Sequence, residues 1–385
     1  MGNHSKLGDE AVCLLLHNLV PGGSARQWVN LLGDHVQHGG RATIVAPWGP
    51  LGETAEDAGI KVVHHGWHER TPHGCDGVWP ILAEHDVAVV HWDHRVMHAF
   101  EPALATCGRA ALTVHQAPQA LSRWFGPEAV TSARVPLEQA VSARRATVLV
   151  RGEWHRERIA SAFDLPESQL RLLPASIPLP SAPAHPASAE PAEVLALTRL
   201  SAEKAAIVQL AAELVRARLD SGQECHLTIA GDGPWRDGAL ALCESRLPAR
   251  SWRLEPAPTD PLNRLAAADL VVTQGLTTLE AAALERRVVV ARPLDDNRAA
   301  GVVLSPAGYD AAAGDPFGRP PLSDDPRQLW REILALNNRD LRRLRRLVAR
   351  RNSLTETSSA LSAALRSTLQ PAGKGSRPAC QGPGG

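Results

Sequence analysis

The chain has 385 residues, of which 44% are hydrophobic, enough material for two cores of ordinary size. Lysine plus arginine and aspartate plus glutamate both number 41, so no charge excess points to nucleic acid. The six cysteines form no CxxC pair, and the sixteen histidines form no HExxH pattern. We therefore expect reduced thiols in a cytoplasmic protein and no metal site. The N-terminus lacks the apolar core of a signal peptide, and no apolar run approaches ~20 residues.

In chain order, Ala11–His17 reads as a buried strand, Asn18–Ser24 (NLVPGGS) as a loop, Ala25–His38 as a helix and Arg41–Pro47 as a second strand. This βαβ opening has only Gly22-Gly23 in place of GxGxxG. Those two glycines are either a plain turn or a place where backbone comes close to a ligand. Further strands are expected at Lys61–His65, Val87–Trp92, Ala110–His115 and Thr147–Arg151. Helical patterns between most of them predict a parallel, doubly wound sheet. Trp48, Trp67 and Trp92 lie just past strand ends, where they either stack on a sugar or cap the core. His115 closes its strand at the carboxyl edge of the sheet, as a satisfied structural histidine or a functional one.

Gly152–Asp164 reads as a helix, Gln169–Ile177 as a terminal strand, and Pro178–Pro191, with five prolines, as an exposed interdomain linker. The second half repeats the pattern, with strands expected at Val194–Arg199, His226–Ala230, Trp252–Glu255, Leu270–Thr273 and Val288–Ala291. These readings divide the chain into domains at 1–177 and 192–352, a C-terminal helix at 353–370 and a disordered tail at 371–385.

The stretch VLALTRLSAEK, Val194–Lys204, carries most of the functional reading. A buried strand runs directly into a helix start capped by Ser201, so Arg199 and Lys204 lie at the carboxyl edge of a parallel sheet. A helix N-terminus there favours an anion, such as a diphosphate. The alternative is that both cations are solvated. Thr277–Arg286 (TTLEAAALER) reads as a helix with threonine caps and Glu280 in its first turn. There the carboxylate either accepts from ribose hydroxyls or simply suits the helix dipole. The arginine-rich helix around Asp340–Arg351 could touch an anionic membrane surface or present an ordinary solvated face.

Several segments in this order resemble the GT-B glycosyltransferases of the group 1 type, family 4, over roughly Val12 to Leu369. HNLVPGGSARQ resembles the glycine loop of that family, VAVVHWDHR its DVVHxH strand, LTVHQAP its histidine-bearing strand, and RLLPASIP its IPNG segment. TRLSAEK resembles GRLxxEKG, and LTIAGDGPWRDGAL resembles LxIxGDGPxRxxL. AAADLVVTQGLTTLEAAALERRVVVA resembles ADxxVxPSxxEGxGxxxLEAMAxGxPVVA. The resemblance implies two Rossmann-like domains facing across a cleft, the first for the acceptor and the second for the donor. It implies a retaining, metal-independent transfer from a nucleotide-diphosphate sugar, with no other cofactor, to a small-molecule, glycan or lipid-linked acceptor. By it, Gly22 and Gly23 lie against the donor diphosphate, Arg199 and Lys204 bind it, Glu280 holds the ribose, and His115 serves the transferred sugar or acceptor.

Four departures accompany the resemblance. Thr198 replaces a glycine, and Val272 stands eight residues before Glu280, where the family carries a second acid. Glu285-Arg286-Arg287 replaces Gly-x-Pro, and Arg292–Arg298 lacks a glycine-rich turn. A catalytically silent protein of the same fold that activates a partner, and a sugar-nucleotide 2-epimerase, are the alternatives.

Overall fold

The computed structural model describes residues 10–67, 77–91, 93, 96, 99–107, 109–114, 138, 146–182, 185–294, 298–311 and 322–367. Trp92, His115, the Asp295-Asp296 pair and residues 371–385 lie outside the described residues.

The first half runs β1 (Ala11–Leu15), α1 (Gly23–Gln37), β2 (Arg41–Ala46), α2 (Leu51–Asp57), β3 (Lys61–His64), α3 (Trp79–Ala83) and β4 (Val87–His91). It continues through α4 (Phe100–Cys107), β5 (Ala110–Val114), β6 (Ala146–Val150), α5 (Glu153–Phe163) and β7 (Leu170–Leu172). These strands form a parallel sheet in the order β3-β2-β1-β4-β5-β6-β7. Strand pleating sends Cys13 and Leu15 into one apolar layer and Val12 and Leu14 into the other. That two-sided burial explains the continuous apolar runs in the sequence. β7 is shorter than expected, because the chain after it carries Pro174 and Pro178, which cannot donate to a ladder.

The second half contains β8 (Glu193–Leu197), α6 (Ala205–Asp220), β9 (His226–Ala230), α7 (Arg236–Arg246), β10 (Trp252–Glu255), α8 (Pro261–Ala266) and β11 (Leu270–Thr273). Then come α9 (Leu276–Ala283), β12 (Arg287–Pro293), β13 (Ala299–Val303), α10 (Pro306–Ala311), α11 (Pro326–Ala335), α12 (Asn338–Asn352) and α13 (Leu354–Ser367). The sheet order is β10-β9-β8-β11-β12-β13. Its last strand departs from the expected pattern: β13 pairs antiparallel to β12, as the return arm of a hairpin closed by Leu294 N–H on Arg298 O at 2.8 Å. That hairpin occupies the place of the glycine-rich turn missing from Arg292–Arg298.

The chain crosses between the halves twice, and the two crossings are fastened to each other. Ile177 N–H donates to Asn352 O at 2.9 Å, and Asn352 Nδ2 donates to Ala175 O at 2.5 Å. The buried Tyr309 hydroxyl bonds Asn352 Oδ1. After Asn352 the last helix, α13, returns to the first half, where Leu361, Ala364 and Leu365 join the core of Trp28 and Leu32. Ser358 Oγ also meets Asp34 Oδ2 at 2.6 Å.

The Glu285-Arg286-Arg287 departure has a structural account. Glu285 adopts φ 57°, the left-handed conformation a glycine would take without strain. The two arginines that follow are both only 3% exposed. Arg286 Nη2 donates to His185 O at 2.6 Å, and Arg287 donates to Ser188 O at 2.5 Å, Leu336 O at 3.0 Å and Ile333 O at 3.2 Å. Arg345 Nη2 adds a bond to Pro180 O at 2.9 Å. The linker read as merely exposed is thus strapped by three guanidinium groups through its carbonyls. α12 divides its arginines accordingly: Arg345 is turned inward, while Arg342, Arg343, Arg346 and Arg350 stay exposed opposite buried Leu341, Leu344, Leu347 and Val348. Among the described residues no helix is long and apolar enough to cross a membrane. The cysteines at 13, 107, 225 and 243 are free, and burial raises each thiol pKa, to about 12 for Cys107, Cys225 and Cys243.

Arg287→Met should destabilise the protein by about 3 kcal/mol, because three backbone carbonyls, two of them buried, lose a charged donor. Arg350→Met on the exposed face should stay within about 0.5 kcal/mol of the wild type. Urea denaturation of both variants checks this, and equal stability of the two would contradict the role given to Arg287.

Candidate functional site

In each sheet the strand order reverses direction once, at β1/β4 and at β8/β11. Loops leaving the carboxyl ends of such strands open a crevice where α/β proteins bind ligands. In the second half the crevice lies between the Thr198–Lys204 loop and the two-residue turn Gln274-Gly275. Lys204 Nζ bridges them, donating to Gln274 Oε1 at 2.9 Å, while Gln274 Nε2 donates to Ala291 O at 2.7 Å.

The Thr198–Lys204 loop is held from below by the turn Gly231-Asp232-Gly233. Leu200 N–H donates to Asp232 O at 2.9 Å, and Trp235 N–H to Leu200 O at 3.0 Å. The two glycines make that approach sterically feasible: a Cβ on Gly231 would sit 1.8 Å from Thr198 O, and one on Gly233 2.2 Å from Leu200 O. The GDGP motif therefore supports Arg199 from the backbone side. Helix formation is later than expected. Ser201 begins a 3-10 turn, Ala202–Lys204, and α6 starts only at Ala205.

Arg199 is half-exposed and ion-paired with Glu203. A pair so accessible to solvent contributes little and is readily exchanged for a stronger anion. Burial opposes ionisation of Glu203, yet hydrogen bonds from Ser201, its own backbone and Arg199 hold its carboxyl below the usual range. Lys204 is more enclosed. Burial, then the guanidinium groups of Arg199, Arg292 and Arg151, push its pKa down to about 8, with Glu203 opposing. Arg292 lies near the end of β12, and Arg151 is the first residue after β6 in the other half. Cations from both halves therefore act on Lys204. Arg151 and Arg292, like Arg199, are cations at the carboxyl end of a sheet strand, a signal present in the sequence.

The two glycines of the first-half loop lie at the same place. Gly22 caps α1 in extended backbone and Gly23 is its first residue. A Cβ on Gly23 would lie 3.6 Å from Leu276 Cγ and 3.8 Å from Leu276 N. Leu276 begins α9, so the N-termini of α1 and α9 abut across the crevice, each presenting the positive end of a helix dipole. One turn further along, Arg26 of α1 is ion-paired with Glu280 of α9. Glu280 is 3% exposed, and its Oε2 is buried without a hydrogen-bond partner among the described residues. Two expectations for this helix need correction. Its N-cap is Gly275, at φ 75°, rather than a threonine, and Glu280 falls in the second turn, beyond the reach of a first-turn dipole effect. Arg26 lies within the HNLVPGGSARQ segment, and the tertiary contact with Glu280 gives it a role.

Val272 is fully buried inside β11. The position eight residues before Glu280 is thus a core strand position, and the turn that does reach the crevice offers Gln274 and Gly275. Thr198 is accommodated where a glycine was expected, since among the described residues only Asp164 and Glu285 have positive φ apart from glycines.

At the first-half switch point, His17 follows β1 and His91 ends β4, their rings 4.9 Å apart, with buried Asp93 beyond. Trp67 is buried and donates Nε1–H to Leu16 O at 2.8 Å, so it caps the core. Trp48 is 55% exposed and packs on His64 with ring centroids 4.3 Å apart. Among the described residues no group of three or more His, Cys, Asp or Glu is placed to hold a metal ion.

No protein-family model and no curated protein sequence matches the chain. Solved structures do. A glycosyltransferase from Rickettsia africae ESF-5 aligns over 94% of this chain and 99% of its own, with TM-score 0.65 and 10% identity. Anabaena Alr3699/HepE, solved with UDP and glucose, aligns over 92% of this chain and 95% of its own, with TM-score 0.62 and 12% identity. WaaG, a glycosyltransferase involved in lipopolysaccharide biosynthesis, aligns over 92% and 99%, with TM-score 0.62 and 15% identity. The fold is the GT-B architecture. Two Rossmann-like halves face across a crevice, and the alignments span both.

The depressed Lys204 pKa has a signed consequence. Between about pH 8 and the ordinary lysine value of 10.5 the folded chain binds fewer protons than the unfolded one. Stability should therefore rise with pH across that window. Lys204→Met should flatten the rise and stabilise the protein at pH 7 by about 2–3 kcal/mol. Denaturant melts at pH 7 and 10 check this. An unchanged pH slope in Lys204→Met would contradict it.

Proposed function

We propose that the protein is a glycosyltransferase that moves a sugar from a nucleoside-diphosphate sugar to an acceptor hydroxyl. The observation that carries this reading is the meeting of the α1 and α9 N-termini beside Lys204, with Arg199, Arg151 and Arg292 near it. Two helix ends and several cations in one crevice suit a polyanion of compact shape. The GT-B architecture, shared with proteins solved with UDP and sugars, makes a nucleoside diphosphate the natural candidate.

In the proposed reaction the bond from the anomeric carbon to the diphosphate oxygen breaks, and its electron pair leaves with the diphosphate. The acceptor oxygen forms the new bond to that carbon, and its proton passes to the departing diphosphate. Arg199 and Lys204 meet charge that grows as the bond breaks, so they act most strongly in the transition state. Gly22 and Gly23 leave space for the diphosphate beside the backbone. Glu280 accepts from the ribose, and His115 serves the transferred sugar or acceptor from the first half. Cations handle the phosphate charge here, so we propose a reaction that needs no divalent metal, with retention at the anomeric carbon. The carboxyl edge of the first sheet, with His17, His91 and exposed Trp48, is the acceptor side. A soluble metabolite or glycan is the favoured acceptor, and the exposed arginine face of α12 would allow weak contact with an anionic membrane.

One observation favours a second reading, a silent protein of this fold that activates a partner. The turn between β11 and α9 has only two residues and brings no carboxylate to the crevice. A sugar-nucleotide 2-epimerase, the other alternative, would invert C2 of the donor sugar and form no glycoside.

Thermal shift with UDP, GDP, dTDP and ADP should give stabilisation by at least one of them. Single-turnover transfer from the matching sugar donor, in EDTA, should then proceed in the wild type. It should fall by about 10²–10³ in Arg199→Ala and Lys204→Ala. Arg199→Lys should recover only part, because an ammonium lacks the planar fork. Binding without transfer to any acceptor would favour the silent reading. Near wild-type rates in either folded alanine variant would refute the phosphate role.

A further inference from the structure

We propose that Arg26 is a positioning residue for nucleotide recognition: from the first half of the chain it fixes the Glu280 carboxylate so that Oε2 is presented to the vicinal hydroxyls of a ribose. The inference rests on the nucleotide-sugar reading above and adds a residue to which no role has been assigned.

The geometry consists of two contacts one helical turn apart. Gly23 meets Leu276 where α1 and α9 begin, and Arg26 meets Glu280 further in. Four residues separate Leu276 from Glu280, an axial rise of about 6 Å. That is the scale separating a nucleotide's diphosphate from its ribose hydroxyls. A diphosphate at the helix ends would therefore bring a diol near Glu280.

The two carboxylate oxygens are not equivalent. Oε1 is taken by Arg26 Nη2. Oε2 is buried and, among the described residues, has no hydrogen-bond partner. An unsatisfied buried carboxylate oxygen is costly, and a hydrogen-bond donor such as a ribose hydroxyl relieves it. The buried acid also needs a counter-charge, and Arg26 supplies one from across the crevice while keeping 34% of its own side chain exposed. A guanidinium bound to one oxygen fixes the carboxylate plane and so the direction of the other. The ion pair thus couples contact between the two halves to the ability to read a ribose.

The test is titration calorimetry of UDP, GDP and ADP against their 2′,3′-dideoxy counterparts, with circular dichroism as a check on folding. The wild type should prefer the ribose form of its best ligand by about tenfold or more, as expected for a charged hydrogen bond. Arg26→Met should bring that ratio to within about twofold while both forms still bind through the phosphate cations. Arg26→Lys keeps the counter-charge but lacks the fork, and should give a ratio between the two. If Arg26→Met does not fold, a wild-type ratio in Arg26→Lys overturns the proposal. An unchanged ratio in folded Arg26→Met also overturns it and leaves the nucleotide reading intact. No binding of any diphosphate to the wild type overturns the nucleotide reading, and this proposal with it.

Discussion

The crevice is a place of unbalanced positive charge, and much of the structure exists to hold it together. Two helix N-termini abut at Gly23 and Leu276, and Arg151, Arg199 and Arg292 all lower the Lys204 pKa. Burial of Lys204 makes these charges felt more strongly there than they would be in water. Two acids partly offset them, Glu203 beside Arg199 and Glu280 beside Arg26. The arrangement is therefore costly until an anion enters, and the cost sits on residues drawn from both halves. An anion there would bind to the two halves together.

The scaffold that maintains this arrangement is built mostly from backbone contacts. The Gly231–Gly233 turn fits under Thr198 and Leu200 so closely that side chains could not replace hydrogen there. Gln274 ties Lys204 to the end of β12. Asn352 and Tyr309 fasten the two chain crossings, while Arg286, Arg287 and Arg345 strap the linker carbonyls. Relative movement of the two halves would centre on the crossings near Ile177 and Asn352, since those are the chain connections between them. Strain is accepted at one point for this: Glu285 takes a left-handed conformation immediately before the two buried arginines.

Much of the fold was legible in the sequence because parallel strands covered on both faces read as short apolar runs. Val12–Leu16, Val194–Leu197 and Val288–Ala291 are examples. Arg199 and Lys204 were legible for a related reason: a strand that runs straight into a helix start fixes which cations reach its carboxyl edge. What was not legible depended on partners distant in sequence. Arg26 gains meaning only through Glu280, 254 residues away. The antiparallel strand β13 offered no pattern distinct from a loop. The Glu280 helix was read as starting with threonine, but tertiary packing places Gly275 at its cap. A spacing count put Val272 at an acid's position, whereas the two-residue turn leaves Val272 inside a strand.

The central claim is that a nucleoside diphosphate lies where α1 and α9 begin. The most direct measurement is a crystal structure of the protein grown with the diphosphate that most stabilises it. The account predicts phosphate oxygens at about 3 Å from Lys204 Nζ and from the backbone amides at Gly22–Gly23 or Gly275–Leu276, with the ribose toward Glu280. A diphosphate bound elsewhere, such as beside the Gly231–Gly233 turn with Lys204 still bonded only to Gln274, would contradict it.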